Sequence, residues 1–346
     1  MTSAVSTAES SRTPAILGAF STDVALLFLP GALTLALFWF VPPTMTSILV
    51  ASFVTLYMLD SGHGYVTAMR IHLRPKALKS HSRALQLAYW LTPLGAFLLA
   101  AGWVYSGLPG LWTALVYVTL FHHLRQLYGV LRWYQKLNGR FDQSSHRFLY
   151  GLMLIPICVL HGRSDSPIRG LFDDDFLLFQ SQSVMTALVV LHGIVAFVWI
   201  GFEIRTWRSG YRELNRLMAI GFPAGLSAFC VYFGDSVGQI VFPFLVLHAV
   251  AYFALVGLSL ERTATQRSIS WPFAALLAVA LAAACGMFEW YYERELMVWN
   301  YERLAERFWP ALVIGAYVTV PLSHYILDAL IWRGDHPEAR QVFTPS

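Results

Sequence analysis

The sequence predicts an all-α, polytopic integral membrane protein, built as a helical bundle of about ten transmembrane helices with both termini in the cytoplasm. Three observations support this fold class. Hydrophobic residues make up 57% of the 346-residue chain and charged residues only 13%, which is too apolar for a soluble domain. The apolar residues form long runs, and the Lys and Arg residues form short clusters between those runs. The chain is therefore expected to reside in a lipid bilayer.

Each spanning helix needs about 20 mostly apolar residues. We place the spans, with approximate limits, at residues 24–41, 45–65, 85–105, 109–131, 147–161, 183–204, 217–234, 237–260, 270–289 and 309–332. Residues 1–22 are rich in Ser, Thr and Ala and lack the features of a secretory signal. They are predicted to be a disordered cytoplasmic tail. Residues 23–333 are predicted to form a single transmembrane helical-bundle domain, and residues 334–346 a cytoplasmic C-terminal tail.

Orientation follows from the charged loops, because Lys and Arg near span ends are retained in the cytoplasm. Basic clusters lie at residues 70–83, 132–147 and 205–216, and acidic residues at 173–175 and 289–306 alternate with them. The basic clusters are predicted to be cytoplasmic and the acidic segments to lie outside. The chain has a pI near 9.0 but no arginine-rich tail or nucleic-acid motif, so no nucleic-acid partner is expected.

Histidines inside the spans are the main functional candidates, because ionisable groups in hydrocarbon are costly unless they pair, face a cavity or bind something. Except for His161 at an outer helix end, they occur only in helices that run from outside to inside. They are His63, His122, His123, His192, His248 and His324. Counted to the nearest cytoplasmic arginine at about 1.5 Å per residue, most lie roughly 10–20 Å deep. We expect them to form one layer.

The spacing of acids and histidines strengthens this expectation. Asp60 and His63 are three residues apart, and His324 and Asp328 are four apart, so each pair projects from one helix face. In the fourth span, His122 shares a face with Arg125 and Gln126, whereas His123 points about 100° away. Gly62 and Gly64 flank His63 and permit a close backbone approach.

These residues predict a metal site. The candidate ligands are Asp60, His63, His122, His123, His248, His324 and Asp328. Mixed His and carboxylate ligands suit non-haem iron, mononuclear or dinuclear, with zinc, copper and manganese as alternatives. Either acid could instead orient an imidazole without touching the metal. The competing interpretation of a lone intramembrane histidine is a hydrogen-bonded packing residue.

Two neighbours of His122 are candidate catalytic residues, Arg125 and Gln126. A helical Arg125 would lie within the membrane near the histidine layer, where an unpaired cation is costly. We expect it either to neutralise Asp60 or Asp328 or to bind a lipid or acid carboxylate in a bidentate contact.

The blocks LDSGHGYVTAMR, FHHLRQLYGVLRWYQKLNG, FLVLHAVAYF and LSHYILDALIWR resemble those of uncharacterised bacterial polytopic membrane proteins rich in histidine, a likeness that covers most of the chain. In general character the chain is also similar to membrane-bound di-iron hydroxylases and desaturases, which use oxygen and an electron donor on apolar substrates. It shares an adjacent histidine pair with them, but their HxxxH and HxxHH boxes are missing. Bacterial carotene-cleaving membrane dioxygenases are a further comparison, sharing a His-rich helical bundle. The resemblance implies a location in the bacterial inner membrane.

The leading functional hypothesis is an iron-dependent membrane enzyme that hydroxylates, desaturates or cleaves a lipid or other hydrophobic substrate. Its expected partners are membrane lipids, the hydrophobic small-molecule substrate and an electron-donor protein. A proton-coupled transporter is the first alternative, because Asp, His and Arg can line an ion path. A haem-based electron-transfer protein is the second, because histidines on facing helices can be axial ligands. No GxSxG elbow, P-loop or GxGxxG fingerprint occurs.

Overall fold

The regular elements of this protein, in the part described by the computed structural model, are all helices. The described residues are 13–41, 44–72, 82–163, 165, 177–179, 181–262, 270–292, 306–333, 336 and 339. In chain order the helices are α1 (Phe20–Phe40), α2 (Met45–Ser52), a π-helical segment (Phe53–Ser61), α3 (Gly62–His72), α4 (Arg83–Tyr105), α5 (Leu111–Leu137), α6 (Gln143–Gly162), α7 (Gln182–Arg208), α8 (Leu214–Phe233), α9 (Val237–Ile240), α10 (Phe242–Arg262), α11 (Trp271–Tyr292) and α12 (Phe308–Ile331).

Seven of the described helices are long and apolar enough to cross a membrane: α1, α4, α7, α8, α10, α11 and α12. This confirms the all-helical class and supports an integral membrane bundle. The other predicted spans, 45–65, 109–131 and 147–161, also fall on helices. These three regions are not among the seven, and they carry polar residues of the histidine layer and of the α5 and α6 ends. The count of about ten spans and the cytoplasmic termini stay predictions.

Helix starts are set by side-chain caps. Thr44 and Ser47 form a reciprocal capping box before α2, and the Asp142 carboxylate accepts from the backbone N–H groups of Ser144 and Ser145 at the start of α6. Ser181 caps α7 in the same way. Such caps satisfy N–H groups that the first helical turn leaves without partners.

Small residues bring α3, α10 and α11 together. A Cβ at Gly62 would overlap the carbonyl oxygen of Ala282, and one at Gly257 would overlap the backbone of α11 at Trp271. Between lipid-facing helices the hydrophobic effect supplies little attraction, so close packing and polar contacts hold them together. The result is a tight inner group in which α10 is buried along nearly its whole length.

The π-helical segment joins α2 and α3 immediately before His63. π-helical turns are rare and occur often at functional sites, since they rotate the following residues relative to an α-helical register. His63, in the first turn of α3 directly after this segment, is buried in the interior of the bundle.

Both chain ends include ordered residues beyond the predicted domain limits. Ile16 and Leu17 are buried, and their backbone N–H groups donate to the carboxylate of buried Asp23, which also accepts from the Tyr134 hydroxyl. Residues 16 and 17 thus contact the start of α1, and the limits of the predicted tails and of the central domain stay predictions. At the other end, His336 is buried and its Nε2 lies 2.7 Å from the Tyr89 hydroxyl.

Several charged segments used to predict orientation lie outside the described residues. They include the central part of the basic cluster at 70–83, the acidic residues 173–175 and most of the acidic segment 289–306. Within the described part, Arg216 of the basic cluster is buried and bonded to Glu203 of α7 and to Glu213. It joins α7 to α8, and the cytoplasmic location of this cluster stays a prediction.

Candidate metal centre

Four predicted histidines come together inside the bundle. His63, His122, His248 and His324 come from α3, α5, α10 and α12, and one ring nitrogen of each lies within 4.8 Å of the others. Each residue is at most 9% exposed. We call these four residues the histidine cluster. These four helices are among the five predicted to run from outside to inside; the fifth is α7, which carries His192 and does not contribute to the cluster.

The imidazole rings of the cluster touch one another directly. The His63 and His324 ring centroids are 4.5 Å apart with the planes perpendicular, and those of His122 and His324 are 4.6 Å apart. The Nε2 atoms of His63 and His248 are 3.0 Å apart. Two nitrogen lone pairs at this distance repel each other unless a proton or a cation lies between them.

The backbone fixes the orientation of the His63 ring. Its Nδ1 lies 3.1 Å from the carbonyl oxygen of Leu59, one helical turn earlier. We assign the ring proton to Nδ1, because a carbonyl can only accept. The lone pair is then on Nε2, which faces His248. Metal-binding histidines commonly donate their other N–H in this manner.

A polar chain orients His324 in the same sense. The Nδ1 atom of His324 lies 2.7 Å from the Thr67 hydroxyl, and that hydroxyl donates to Oδ1 of Asp328 at 3.1 Å. With the Thr67 proton directed to the carboxylate, the Thr67 oxygen accepts from Nδ1–H. The lone pair of His324 is thus on Nε2, which has no hydrogen-bond partner in the described structure.

Three buried nitrogens of the cluster have no hydrogen-bond partner among the described residues. They are Nε2 of His122, Nδ1 of His248 and Nε2 of His324. Leaving a buried polar atom without a partner costs about 1–3 kcal/mol, so several in one place require a physical explanation. Neutral imidazoles are the form that ligates a metal, and one bound cation would satisfy lone pairs of this kind together. The donor set therefore fits a transition metal.

Asp328 lies behind His324, on its Nδ1 side. Its Oδ1 atom is 3.8 Å from that nitrogen, and it also accepts from the Tyr252 hydroxyl at 3.4 Å. Of the two roles predicted for this acid, the geometry fits an orienting partner of the imidazole. Thr67 and Tyr252 were not among the predicted site residues. Each is four residues after a cluster histidine on the same helix, so the helical period was the available signal.

Asp60 and His123 lie at the edge of the cluster. The Asp60 Oδ1 atom is 3.9 Å from Nδ1 of His63 and 3.8 Å from Nε2 of His123. The His123 ring stacks on that of His248 with centroids 4.0 Å apart. The Asp60 side chain is 21% exposed and that of His123 is 13% exposed, against 4% for His63. This edge is the more open side of the cluster.

The two predicted catalytic residues, Arg125 and Gln126, lie in different environments. Gln126 donates from Nε2 to the backbone carbonyl of His248 at 3.2 Å, which ties α5 to α10 beside the cluster. Arg125 is exposed, and its guanidinium contacts the Tyr150 hydroxyl on α6. The predicted pairing of Arg125 with Asp60 or Asp328 is wrong, because the rotation of α5 directs this side chain to the α6 side.

The other intramembrane histidines stay apart from the cluster. His192 on α7 is bonded through Nδ1 to the Tyr232 hydroxyl of α8 at 2.9 Å. His161 at the end of α6 is bonded to the carbonyl of Ile157, and its ring stacks on Tyr117. Both contacts are of the packing kind expected for lone histidines in membrane helices.

Comparisons of this chain with models of protein families, with characterised proteins and with solved structures find no match. What the protein does must therefore be inferred from the histidine cluster and its surroundings.

Replacing Thr67 with valine is expected to weaken metal binding by about 10- to 100-fold, the usual effect of losing an orienting partner of a metal-bound histidine. Valine keeps the shape of the side chain but removes the bridge between His324 and Asp328. Chelator competition on the purified protein measures the affinity. Thr55→Val is the matched control, since among the described residues that buried hydroxyl bonds only to the carbonyl of Ala51. Equal effects of the two substitutions would show that Thr67 does not position His324.

Proposed function

We propose that this protein is a membrane-embedded metalloenzyme in which the histidine cluster holds iron for the oxygen-dependent oxidation of a hydrophobic substrate. The proposal rests on one observation above all: four buried imidazoles from four helices bring their ring nitrogens within 4.8 Å of one another. Packing alone does not require four polar rings in mutual contact inside an apolar bundle, and each would cost free energy there.

The distances suit a single metal ion. Imidazole nitrogens bind first-row metals at about 2.0–2.1 Å, so two ligand atoms on one ion are at most about 4.2 Å apart. The cluster nitrogens already lie within 4.8 Å. Small rotations of the rings are enough to bring all four onto one ion.

Ligand type favours iron among the candidate metals. The cluster offers imidazoles with carboxylates at its edge, and among the described residues no cysteine joins the grouped ligands, unlike thiolate zinc sites. The four imidazoles would hold the iron, which would supply the oxygen chemistry. Haem fits less well, because axial histidines must lie on opposite faces of the macrocycle, whereas these rings touch directly.

The proposed oxidation requires O₂ and, for hydroxylation, an electron donor. In a hydroxylation, one atom of O₂ is inserted into a C–H bond of the substrate and the other leaves as water. Two electrons come from an electron-donor protein and two protons from the solvent. Desaturation would use the same oxygen, electrons and protons but release both oxygen atoms as water, whereas oxidative cleavage would insert both oxygen atoms into the products and need no external electrons.

Residues of this chain would hold the metal-binding imidazoles and their helices in position. Leu59 and the Thr67–Asp328 pair fix two of the imidazoles, and the contact from Gln126 keeps α5 against α10. The site lies among apolar helices, so a hydrophobic substrate would reach it laterally from the bilayer. The more exposed edge at Asp60 and His123 is the side on which we place its access.

Metal analysis tests the proposal directly. The full-length protein is produced in iron-replete cells and purified in detergent, and its iron, zinc, copper and manganese are measured together with an absorption spectrum. We expect about one iron ion per chain and no haem bands. Incubation of membranes with ¹⁸O₂ and a reductant should then place the label in a lipid-soluble product if the substrate is hydroxylated or cleaved, and in water if it is desaturated. Folded protein without metal, or a haem spectrum, would overturn the proposal, and proton flux in vesicles from metal-free protein would favour transport.

A further inference from the structure

The exposed residues of α5 form a single stripe along the helix. They are Val118, Phe121, Arg125, Gly129, Arg132 and Lys136, spaced three or four apart as one face of an α-helix requires. We call this set the α5 stripe. Its first part is apolar, with Phe121 59% exposed, and its second part is cationic. The cationic part lies toward the helix end predicted to be cytoplasmic.

Two arginines of the α5 stripe have only neutral partners. Arg125 donates to the Tyr150 hydroxyl at 3.1 Å and lies 4.4 Å from the centre of the Tyr128 ring. Arg132 lies over Phe141 at 4.1 Å. In the part of the chain that the structure describes, neither forms an ion pair, whereas buried Arg216 pairs with Glu203. Cations near the end of a membrane helix that have no acidic partner in the protein attract anionic lipid headgroups.

The carboxylate at the start of α6 is already committed to the helix terminus. Asp142 accepts from the backbone N–H groups of Ser144 and Ser145 and from the Ser145 hydroxyl. Burial acts to raise the pKa of Asp142, but these hydrogen bonds outweigh it and hold the pKa below its usual range. This carboxylate is thus ionised at neutral pH, and its charge stabilises the start of α6.

An open space separates the two arginines. Gly129 lies four residues after Arg125 and three before Arg132, and a Cβ at this glycine would meet nothing within 4 Å. The two Cα atoms are about 10 Å apart along the helix, within reach of two arginine side chains that turn toward each other. Beside this space, His146 is buried against the Tyr128 ring, and its Nε2 has no hydrogen-bond partner in the described structure.

We propose that the α5 stripe binds one anionic phospholipid, with its phosphate over Gly129 between Arg125 and Arg132 and an acyl chain along Phe121 and Val118. Guanidinium groups bind phosphate through paired N–H donors, and the Tyr150 hydroxyl lies beside Arg125 to assist. The order of the stripe, apolar and then cationic, matches the order of acyl chain and headgroup from the bilayer interior to its surface. This site is separate from the histidine cluster and stands without the proposed function.

Lipid titration of the detergent-purified full chain tests the site. Dioctanoyl phosphatidylglycerol and dioctanoyl phosphatidylcholine are titrated separately, and binding is measured by native mass spectrometry. We expect phosphatidylglycerol to bind more tightly than phosphatidylcholine. Arg125→Gln and Gly129→Leu should each weaken phosphatidylglycerol binding by about tenfold. Arg212→Gln is the matched control, because this exposed arginine outside the stripe gives the same change in net charge.

Three results would overturn the proposal. They are equal binding of the two lipids, an equal loss in Arg212→Gln, and displacement of the lipid by millimolar inorganic phosphate, which would identify a site for soluble anions. If Arg125→Gln fails to fold, Gly129→Leu decides the matter. Leucine favours the helix and only fills the open space, so retained lipid binding in that variant would also contradict the proposal.

Discussion

Alanine at His63 or His324 is expected to remove bound metal from the purified protein almost completely. Each substitution deletes one of four ligands and leaves the remaining imidazoles around a void. Losing an orienting partner alone costs up to about 100-fold in metal affinity, so loss of a ligand should cost more. Elemental analysis after dialysis against a weak chelator gives the metal content, and thermal unfolding in detergent shows that the variants are folded.

His192→Ala is the matched control for these variants. This histidine is also buried in a membrane helix, but it bonds to Tyr232 outside the cluster. Metal content should stay at the wild-type level. Retention of metal by folded His63→Ala and His324→Ala proteins would contradict the assignment of the cluster. His324→Gln, which largely preserves side-chain volume, separates loss of the ligand from loss of packing.

Gly62→Ala is expected to be among the most damaging single-methyl changes in the bundle. The added Cβ would overlap the backbone carbonyl of Ala282 on α11, which cannot rotate away as a side chain could. Relief requires α3 to move, and with it His63 on the next residue. Overpacking of this kind costs about 1–3 kcal/mol or more. We expect a lower unfolding temperature together with loss of metal.

Gly64→Ala provides the comparison two residues later. A Cβ at that position would lie 3.4 Å from a methyl group of Val320 and 3.7 Å from Cβ of His324, both ordinary contacts. The same added methyl group should therefore leave folding and metal content close to wild type, with a gain of up to about 1 kcal/mol in helix propensity. If Gly64→Ala is as disruptive as Gly62→Ala, the close approach of α3 and α11 is not the reason that Gly62→Ala destabilises the protein.

The helical period explains which neighbours of the cluster could be predicted. Asp60, three residues before His63, and Asp328, four after His324, were both found from spacing, and both lie beside the histidine of their own helix. Thr67 and Tyr252 have the same four-residue relation to His63 and His248 but were overlooked. Hydroxyl groups are common in membrane helices, where they often bond to their own backbone as Thr55 does.

Arg125 shows where the sequence was insufficient. Its position three residues after His122 suggested a place near the cluster, and helix geometry allowed either side. The spacing of residues sets the angle between two side chains on one helix, but the rotation of that helix relative to its neighbours depends on packing. Here α5 presents His122 and Gln126 to the interior and Arg125 to the outside.

By itself, the sequence determined the helices, the membrane class and the layer of histidines, because apolar runs and local periodicity are properties of contiguous residues. Only the tertiary structure decided that His63 meets His248, that Thr67 joins His324 to Asp328, and which ring nitrogens face one another. These contacts join residues 185 to 261 positions apart. They depend on which helices are neighbours and how each is rotated, and those choices are made by packing across the whole bundle.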